Sequence, residues 1–214
     1  RPSRKSTVWP LERRRPVIRV GRNRAELWTP QRTQLIRTES RPLSFPDGTA
    51  LVRAIESLQQ ARPEFKLDLV LETAWLPLML LRPGREVWDR TAVEALARHR
   101  FGLLYQDPAE PVNGWSIRMD HRPGDSHGLA YGLRPSLLRA LAAPGADGGT
   151  VWRSVQPAWS WLRGRARINA GSWLACVEQD RSILALLDGS RPTVLNAAMP
   201  PQVEDWRSAV RVEA

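Results

Sequence analysis

The sequence predicts an α/β protein, because apolar segments of strand length alternate with segments of helical periodicity. Two stretches carry this prediction. Near the start of the chain, a hairpin and a third strand precede an amphipathic helix and a further apolar strand. Over residues 172–198, three apolar strands follow one another and are joined by two tight turns. Each stretch is typical of a sheet that packs its apolar face against other elements.

The first portion of the fold is predicted over residues 16–73. Four of its segments have strand patterns, namely 16–20, 25–28, 34–38 and 67–71. Between the last two strands, Pro46 and Asp47 open a helix in which apolar residues recur at helical spacing until Pro63. The resulting order, β-β-β-α-β, is that of a ribonuclease-H-like fold, and other α/β folds share it.

An inserted small α+β lobe is predicted over residues 74–143. Its elements are a strand, a helix, two further strands and a second helix, over 75–81, 87–104, 115–120, 128–133 and from Pro135 onward. The strand at 115–120 alternates apolar and polar residues, which is the pattern of a strand with one face in water. A glycine-rich segment, 144–149, is predicted to be the linker that follows the lobe.

The last portion, residues 150–214, is predicted to contain a second sheet. In chain order it has a strand, a short helix, the three strands of a β-meander and a final helix, over 151–155, 158–162, 173–177, 183–187, 193–195 and 203–210. The first two meander strands are near-continuous apolar runs, as expected of strands that are buried on both faces.

Two turns of this predicted fold bear on nucleotide binding. In a phosphate-binding turn, glycine lets backbone N–H groups approach the phosphate, and a nearby carboxylate orders Mg²⁺. The turn Val20-Gly21-Arg22-Asn23 has a glycine but no carboxylate, whereas the turn Glu178-Gln179-Asp180-Arg181 has carboxylates but no glycine. No Walker or dinucleotide-binding motif occurs in the sequence. We therefore predict a protein without enzymatic activity and without catalytic, cofactor-binding or metal-binding residues.

The net charge of +10 is concentrated near the start of the chain. Residues 1–62 carry 14 basic and 5 acidic side chains, a net charge of +9, whereas the rest of the chain is close to neutral. Residues 1–15 are basic, contain proline and have no periodicity, so we expect a flexible arm. Such an arm could contact nucleic acid, anionic lipid or an acidic protein. A solvated tail is the default interpretation of a run of like charges.

Tryptophan is unusually frequent, with ten residues against five phenylalanines and tyrosines together. Most of these indoles are expected in the core, since several occupy strand positions between aliphatic residues. Tryptophan next to arginine on a surface is typical of protein interfaces. On this basis the candidate partner-binding residues are Arg13, Arg14, Arg15, Trp28, Trp159 and Trp161.

The sequence also bears on membranes and on redox compartment. The longest apolar run, residues 74–81, contains Pro77 and is far shorter than the roughly 20 residues of a bilayer-spanning helix. We therefore expect a soluble chain without a secretory signal. The one cysteine, Cys176, lies in a predicted buried strand, which excludes an internal disulfide and fits a reducing compartment.

Several short motifs occur in an order that resembles a known family. They are the helix end Ala97–Phe101, Trp115, the segment Gly128–Leu133 with Leu137 and Leu138 after it, the segment Ser154–Pro157, and the hairpin Trp173–Leu187 with Glu178 in its turn. Across residues 66–198 the pattern resembles the actin-like assembly proteins of bacterial envelope machines. These are the pilus-assembly protein PilM and the cytoplasmic domain of the L subunit of the type II secretion platform.

The resemblance implies an actin-like core with an inserted lobe, and a non-catalytic scaffold of a type IV pilus or type II secretion-like system. It implies no cofactor, and it implies partners from that assembly at the cytoplasmic face of the inner membrane. We further expect self-association and a peripheral membrane contact through the basic arm. Nucleic-acid binding through the arginine-rich N-terminal region is the main alternative function, and a Mg-nucleotide-dependent ATPase is a further one.

Overall fold

The computed structural model describes residues 15–31, 34–61, 67–82, 89–105, 110–120, 127–142, 152–165, 169–188 and 191–198. In chain order the elements are β1 (Val17–Val20), β2 (Arg24–Gln31), β3 (Gln34–Pro42), α1 (Gly48–Gln60), β4 (Leu67–Leu71), β5 (Leu78–Leu81), α2 (Arg90–Leu104), β6 (Ser116–Asp120), β7 (Gly128–Leu133), α3 (Pro135–Ala142), β8 (Trp152–Pro157), α4 (Ala158–Arg163), β9 (Ser172–Val177), β10 (Ser182–Asp188) and β11 (Arg191–Ala198). A single 3-10 turn, Val112–Gly114, precedes β6.

Five strands form the largest sheet, in the order β3-β2-β1-β4-β8. β1 pairs antiparallel with β2 and parallel with β4, and β4 pairs parallel with β8. With α1 between β3 and β4, this is the predicted ribonuclease-H-like order, completed by a strand from later in the chain. The sequence groups that strand with the portion 150–214, but the structure places it in the first sheet, because its partner is the distant strand β4.

Helix α1 begins where the sequence predicts. The Asp47 carboxylate is its N-cap and accepts hydrogen bonds from the backbone N–H groups of Thr49 and Ala50, at 2.8 and 3.1 Å. Its buried face packs against β2 and β3 and consists of Leu51, Ala54, Ile55 and Leu58. The helix ends at Gln60, ahead of the proline that cannot continue it.

The central strand β4 is buried at all five positions, as its apolar sequence predicts. Asp68 within it is 2% exposed, yet both of its carboxylate oxygens have donors. One accepts a hydrogen bond from the Ser154 hydroxyl at 2.7 Å, and the other lies 2.5 Å from the Arg153 guanidinium. A buried carboxylate is tolerated at this position because its charge is paired and hydrogen-bonded.

The strands β5, β7 and β6 form the antiparallel sheet of the inserted lobe. This lobe has its own buried cluster, which consists of Met79, Leu81, Val93, Ala97, Phe101, Val112, Trp115, Ile117 and Ala130. Gly132 lets the Trp115 ring lie directly on the backbone of β7, since a Cβ at Gly132 would come within 2.6 Å of that ring.

The strand predicted over residues 75–81 begins only at Leu78. The residues before it form a turn, in which the N–H groups of Trp75 and Leu76 both donate to the Glu72 carbonyl oxygen at 3.0 Å. Pro77 then separates this turn from the strand, and it has no N–H group to donate to a ladder.

The apolar residues of the predicted helix over 87–104 form a broad stripe in the sequence, but the structure buries only part of this stripe. Val93, Ala97 and Phe101 recur every fourth residue and are fully buried. Leu103 and Leu104, which the sequence places on the same stripe, are 62% and 67% exposed. They lie at the end of the helix, off the row of residues that contacts the sheet.

The strands β9, β10 and β11 form a separate antiparallel sheet in the order β11-β10-β9, and the predicted meander is thereby confirmed. The prediction that β9 and β10 are buried on both faces is wrong. In β10, Ile183, Ala185 and Leu187 are buried, whereas the residues between them are half-buried. On the opposite face, Trp173 and Val177 of β9 are 43% and 64% exposed. The sheet therefore has one covered face and one open face.

A continuous core connects the main sheet to the covered face of the meander. Helix α4 packs against β4, β8 and β9 and so contacts both sheets. Cys176 and Ile183 from the meander belong to the same buried cluster as Ile18 and Leu69 from the main sheet.

Several predictions fall outside the described residues. They concern most of the basic arm, the linker at 144–149 and the helix near 203–210. In the part of the chain that the structure describes, no helix is long and apolar enough to cross a bilayer. The division into an arm and three portions stays a prediction.

Candidate functional site at the junction of two turns

The turn after β1 and the turn after β9 lie against each other, and the Gln179 side chain joins them. Its Oε1 accepts a hydrogen bond from the backbone N–H of Asn23 at 3.1 Å, across 156 positions of sequence. Its Nε2 donates to the carbonyl oxygen of Arg24 at 3.0 Å. Both ends of the carboxamide are thus satisfied by the backbone of the first turn.

Gly21 leaves the space that Gln179 occupies. A Cβ built on Gly21 would come within 2.1 Å of Gln179 Cδ and 2.4 Å of its Nε2. The carbonyl oxygen of Gly21 accepts a hydrogen bond from the buried Trp75 indole at 2.8 Å, which holds the turn against the core. The glycine permits a close approach, as it would in a phosphate-binding turn. Here the approaching group is a side chain of the same protein.

Glu72 follows β4 and ties the main sheet to the second turn. Because β1 and β4 are parallel, their ends meet at one edge, where the Glu72 N–H donates to the Val20 carbonyl oxygen at 2.9 Å. One Glu72 carboxylate oxygen lies 2.6 Å from the Arg19 guanidinium, and the other accepts a hydrogen bond from the Gln179 N–H at 2.9 Å. Glu72 is fully buried, and this burial raises the pKa of its carboxyl even against the Arg19 charge.

Glu178 makes the reciprocal contact, from the second turn to the chain after β4. Its two carboxylate oxygens accept hydrogen bonds from the Thr73 N–H at 3.1 and 3.0 Å, and one of them also accepts from the Thr73 hydroxyl. Only 4% of Glu178 is exposed. This burial raises the pKa of Glu178 to about 7, despite the Thr73 donors, and the nearby Glu72 carboxylate adds to the rise.

Asp180 is held by two guanidinium groups, one from each turn. Arg181 donates to its two oxygens at 3.2 and 3.0 Å, and Arg22 of the first turn donates at 3.4 Å. Burial opposes ionisation of Asp180, but the hydrogen bonds and charges of Arg181 and Arg22 outweigh it and lower the pKa of this carboxyl. The pair between Asp180 and Arg22 is a second bridge across the junction.

The junction brings three carboxylates close together, those of Glu72, Glu178 and Asp180. Their oxygens lie within 4.8 Å of one another, which is a spacing that a divalent cation could span. Every one of these oxygens, however, already accepts a protein hydrogen bond or lies in an ion pair. Positive charge comes from three arginines, Arg19, Arg22 and Arg181.

A magnesium nucleotide would therefore meet a junction that is already filled and neutralised. The metal ion would have to displace guanidinium groups from their carboxylates, and a phosphate would have to displace Gln179 from Gly21. The residues present do not fit such a ligand.

Sequence reasoning identified both turns but missed the residues that join them to the main sheet. Glu72 and Thr73 come directly after β4, which is apolar at four of its five positions. The carboxyl ends of parallel strands are where α/β sheets collect their functional residues. The charged residue Glu72 at that position was the available signal of a functional site. The sequence does not show that β1 and β4 pair, and this pairing is what brings Glu72 to the first turn.

The arginines predicted to bind a partner are described only in part. Arg13 and Arg14 lie outside the described residues, and Arg15 is half-buried just before β1. Trp28 is half-buried on β2, where its Nε1 donates to the Glu26 carboxylate at 3.2 Å.

The two tryptophans of α4 differ from each other. The prediction that Trp159 is a surface contact is wrong, because this side chain is fully buried. It belongs to the buried cluster that the main sheet and the meander share. Trp161 is half-buried, and the Arg165 guanidinium stacks on its ring at 4.2 Å from the centroid. Trp161 therefore remains accessible in part.

An apolar groove of about 500 Å³ lies between the inserted lobe and the main sheet. Its apolar lining includes Leu76, Met119, Leu133, Leu138, Trp152 and Val155. Two of these, Leu138 on α3 and Val155 on β8, are each 38% exposed. The hydroxyl groups of Tyr131 and Ser160, which also line the groove, share a hydrogen bond of 2.7 Å.

Sequence comparison and structure comparison give different results for this chain. No family model and no curated protein matches the sequence. Among solved structures, the cytoplasmic domain of EpsL, an inner membrane component of the type II secretion system of Vibrio cholerae, gives a TM-score of 0.52 at 13% identity. That match covers 91% of this chain and 73% of the EpsL chain.

Two further solved structures are similar to the same degree. A chain of the PilM-PilN type IV pilus biogenesis complex gives a TM-score of 0.51 at 11% identity, over 94% of this chain and 66% of that one. A Bacteroides thetaiotaomicron protein with an actin-like ATPase fold and unknown function gives 0.51 at 10% identity, over 97% and 76% of the two chains. At these identities the similarity concerns the fold. The predicted fold class is confirmed, and the chain has an actin-like fold with a ribonuclease-H-like core.

Proposed function

We propose that this chain is a non-catalytic assembly component of a bacterial type IV pilus or type II secretion-like system. It recruits protein partners at the cytoplasmic face of the inner membrane. The observation that carries the proposal is the contact between Gln179 and Gly21, because it fills the place at which such a turn would hold a phosphate. The charge pairing of Glu72 and Asp180 supports the same conclusion, since both carboxylates are already paired with arginines and the third, Glu178, already accepts hydrogen bonds from Thr73.

The solved structures of similar fold support the choice of system. One is an inner membrane component of a secretion system, and another belongs to a pilus biogenesis complex with PilN. Because identity is 13% or lower, this support is a matter of fold, and the partner and the machine are parts of the proposal.

The surface we propose for the partner is the groove between the inserted lobe and the main sheet. A partly exposed apolar groove suits an apolar segment of a partner, and Leu138 and Val155 are its exposed apolar residues. Further proposed contacts are Arg13, Arg14, Arg15, Trp28 and Trp161. Trp159 is withdrawn from this set because of its burial.

Co-expression tests the proposal. The full chain is produced with the cytoplasmic segment of each inner-membrane protein encoded beside its gene, and complexes are isolated by size-exclusion chromatography. We expect one stable complex whose affinity does not change with Mg-ATP. Leu138→Asp or Val155→Asp should weaken it by about tenfold or more, because a charge enters an apolar contact. Leu104→Asp, on the exposed end of α2, is the matched control.

The outcomes separate the parts of the proposal. A complex that both groove variants leave unchanged would overturn the groove as the contact surface. Absence of any complex, together with Mg-dependent ATP hydrolysis by the purified chain, would overturn the scaffold function.

Nucleic-acid binding is the second candidate function, on account of the net charge of +9 over residues 1–62. Within the described part of that region, however, several arginines are already paired with carboxylates: Arg19, Arg22, Arg24, Arg37 and Arg41. Such pairing reduces the positive surface available to phosphates. Steeply salt-dependent binding of generic DNA, lost on deletion of residues 1–15, would favour this alternative.

A further inference from the structure

The open face of the meander sheet has a row of apolar side chains at the end where β9 begins. Leu186 of β10 is directly opposite Trp173 of β9 and Val194 of β11, so the three side chains lie side by side on one face. Trp173 and Val194 are 43% and 37% exposed. Three large apolar side chains that lie together on a solvent-facing surface are typical of a surface that another segment or another protein covers.

The same face continues toward the other end of the sheet. Leu184 is opposite Ala175, and Ser182 is opposite Val177, which is 64% exposed. Apart from Ser182, each of these side chains is apolar. The open face is therefore apolar over the central rows of β9 and β10, between Ser182 at one end of β10 and the exposed Asp188 at the other.

The chain itself leaves the sheet beside this face. Ala198, the last residue of β11, is opposite Ser182, in the same row as Val177. Residues 199–214 follow directly and lie outside the described residues. The apolar face and the start of the C-terminal segment thus share one edge of the sheet.

The sequence of this segment suits a helix with one apolar face. Val203, Trp206 and Val210 recur at the spacing of one helical stripe. Glu204 and Asp205 stand in what would be the first turn, where acidic side chains are favourable. Pro200 and Pro201 precede the stripe, as prolines do at helix starts.

The length of such a helix matches the length of the open face. A helix over residues 203–210 would be about 12 Å long, at 1.5 Å per residue. The rows from Val177 to Trp173 span about 13 Å, at roughly 3.3 Å per strand residue. The four residues 199–202 could bridge up to about 13 Å, which is enough for the chain to turn back over the sheet.

The first half of the protein already has this arrangement. There β1, β2 and β3 form an antiparallel meander, a short connection with Pro46 follows, and α1 packs back on the strands through its apolar face. In the second half, β9, β10 and β11 form the corresponding meander, and a proline-containing connection leads to the amphipathic stripe at 203–210. The segment that would correspond to α1 lies outside the described residues.

We propose that residues 203–210 form an amphipathic helix that docks on the open face of the meander, with Val203, Trp206 and Val210 against the row of Trp173, Leu186 and Val194. The occupant is this chain's own C-terminal segment. The proposal does not depend on the proposed function.

Hydrogen exchange of the full chain, read by mass spectrometry, tests the docking. Amides of 203–210 should exchange about tenfold or more slowly than those of an unstructured peptide, and Leu186→Asp should remove this protection, because it buries a charge under the helix. Val177→Asp, on the same face, is a second disrupting variant. Leu104→Asp on α2 is the control and should leave the protection intact. Unchanged protection of α1 in each variant establishes that the rest of the protein is folded.

Three outcomes would overturn the proposal. The first is exchange of 203–210 at the unstructured rate in the wild-type chain. The second is protection that survives both Leu186→Asp and Val177→Asp, which would place the helix on another surface. The third is protection that disappears on dilution, which would assign the open face to a segment of a second copy.

Discussion

Gln179 and Gly21 fit each other so closely that any side chain larger than hydrogen at position 21 would collide with the Gln179 carboxamide. The contact distance for a Cβ would be 2.1 Å. The carboxamide cannot simply move away without losing its hydrogen bonds to Asn23 and Arg24. The backbone of Gly21 itself lies outside the left-handed region, so the glycine is required by this close contact and not by its backbone conformation.

Gly21→Ala should therefore destabilise the protein through Gln179. Loss of two hydrogen bonds predicts a decrease in the free energy of unfolding of about 1–3 kcal/mol. In a Gln179→Ala background the same substitution should have little further effect. Urea denaturation of the two single variants and the double variant measures this coupling.

Gly102→Ala is the matched control, because a Cβ there meets no atom within 4 Å. Gly102 lies in α2, so this substitution should stabilise the protein by about 0.5–1 kcal/mol. An equal effect of Gly21→Ala with and without Gln179 would show that the two residues are not coupled.

Glu178 should make the stability of the protein depend on pH. Its pKa rises from 4.5 in the unfolded chain to about 7 in the folded protein, so the folded state keeps a proton that the unfolded state releases. This contribution is complete below the unfolded value and is lost as the pH rises through about 7. At 1.36 kcal/mol per pKa unit, it amounts to on the order of 2–3 kcal/mol between about pH 5 and about pH 8.

Glu178→Gln should remove most of this slope, because the amide can still accept from the Thr73 N–H and carries no charge. At about pH 8 the variant should be more stable than the wild-type chain. Denaturant unfolding across the pH range checks this, with Glu56→Gln on α1 as a surface control. Equal pH slopes for the wild-type chain and Glu178→Gln would contradict the account.

Arg19 should be essential to stability because it neutralises the fully buried Glu72. Arg19→Met leaves that carboxylate without its cation, and the expected loss in free energy of unfolding is about 3–5 kcal/mol. The double variant Arg19→Met with Glu72→Gln should recover much of the loss, since no buried charge then remains. Thermal denaturation of the three variants measures this. A double variant no more stable than Arg19→Met would show that the Glu72 charge is not the cause.

Cys176 should report on the opening of the core beneath the junction. Burial raises the pKa of its thiol to about 12, so almost no thiolate is present at neutral pH. A thiol reagent should label it only as fast as the protein unfolds, and labelling should accelerate in Arg19→Met. Rapid stoichiometric labelling of the native wild-type chain would mean that Cys176 is not buried between the meander and the main sheet.

The parts of the fold that sequence predicts well are those with local causes. Asp47 is followed by apolar residues at helical spacing, so α1 could be placed to within a few residues. The strand β4, apolar at all positions but Asp68, likewise had one interpretation, as a buried strand. Turn residues at 178–181 and 188–191 were sufficient to identify the meander.

The parts that sequence reasoning missed depend on distant residues. Both faces of β10 are apolar, so the pattern does not reveal which one the core covers. Likewise β8 joins the main sheet only because β4 is available to pair with it. The junction of the two turns is the clearest case: the hydrogen bond from the Gln179 N–H to Glu72 spans 107 positions. The sequence shows that each turn lacks part of a phosphate-binding site, but it does not show that the two turns pack against each other.

Calorimetric titration of the full chain with Mg-ATP tests the central claim most directly, with Gln179→Ala measured beside it. The account predicts no saturable heat for the wild-type chain up to millimolar ligand, and none for the variant, because Glu72 stays paired with Arg19 and Asp180 with Arg22 and Arg181. Saturable, Mg-dependent binding by the wild-type chain that Gly21→Ala abolishes would place the nucleotide at this junction. That result would contradict the account.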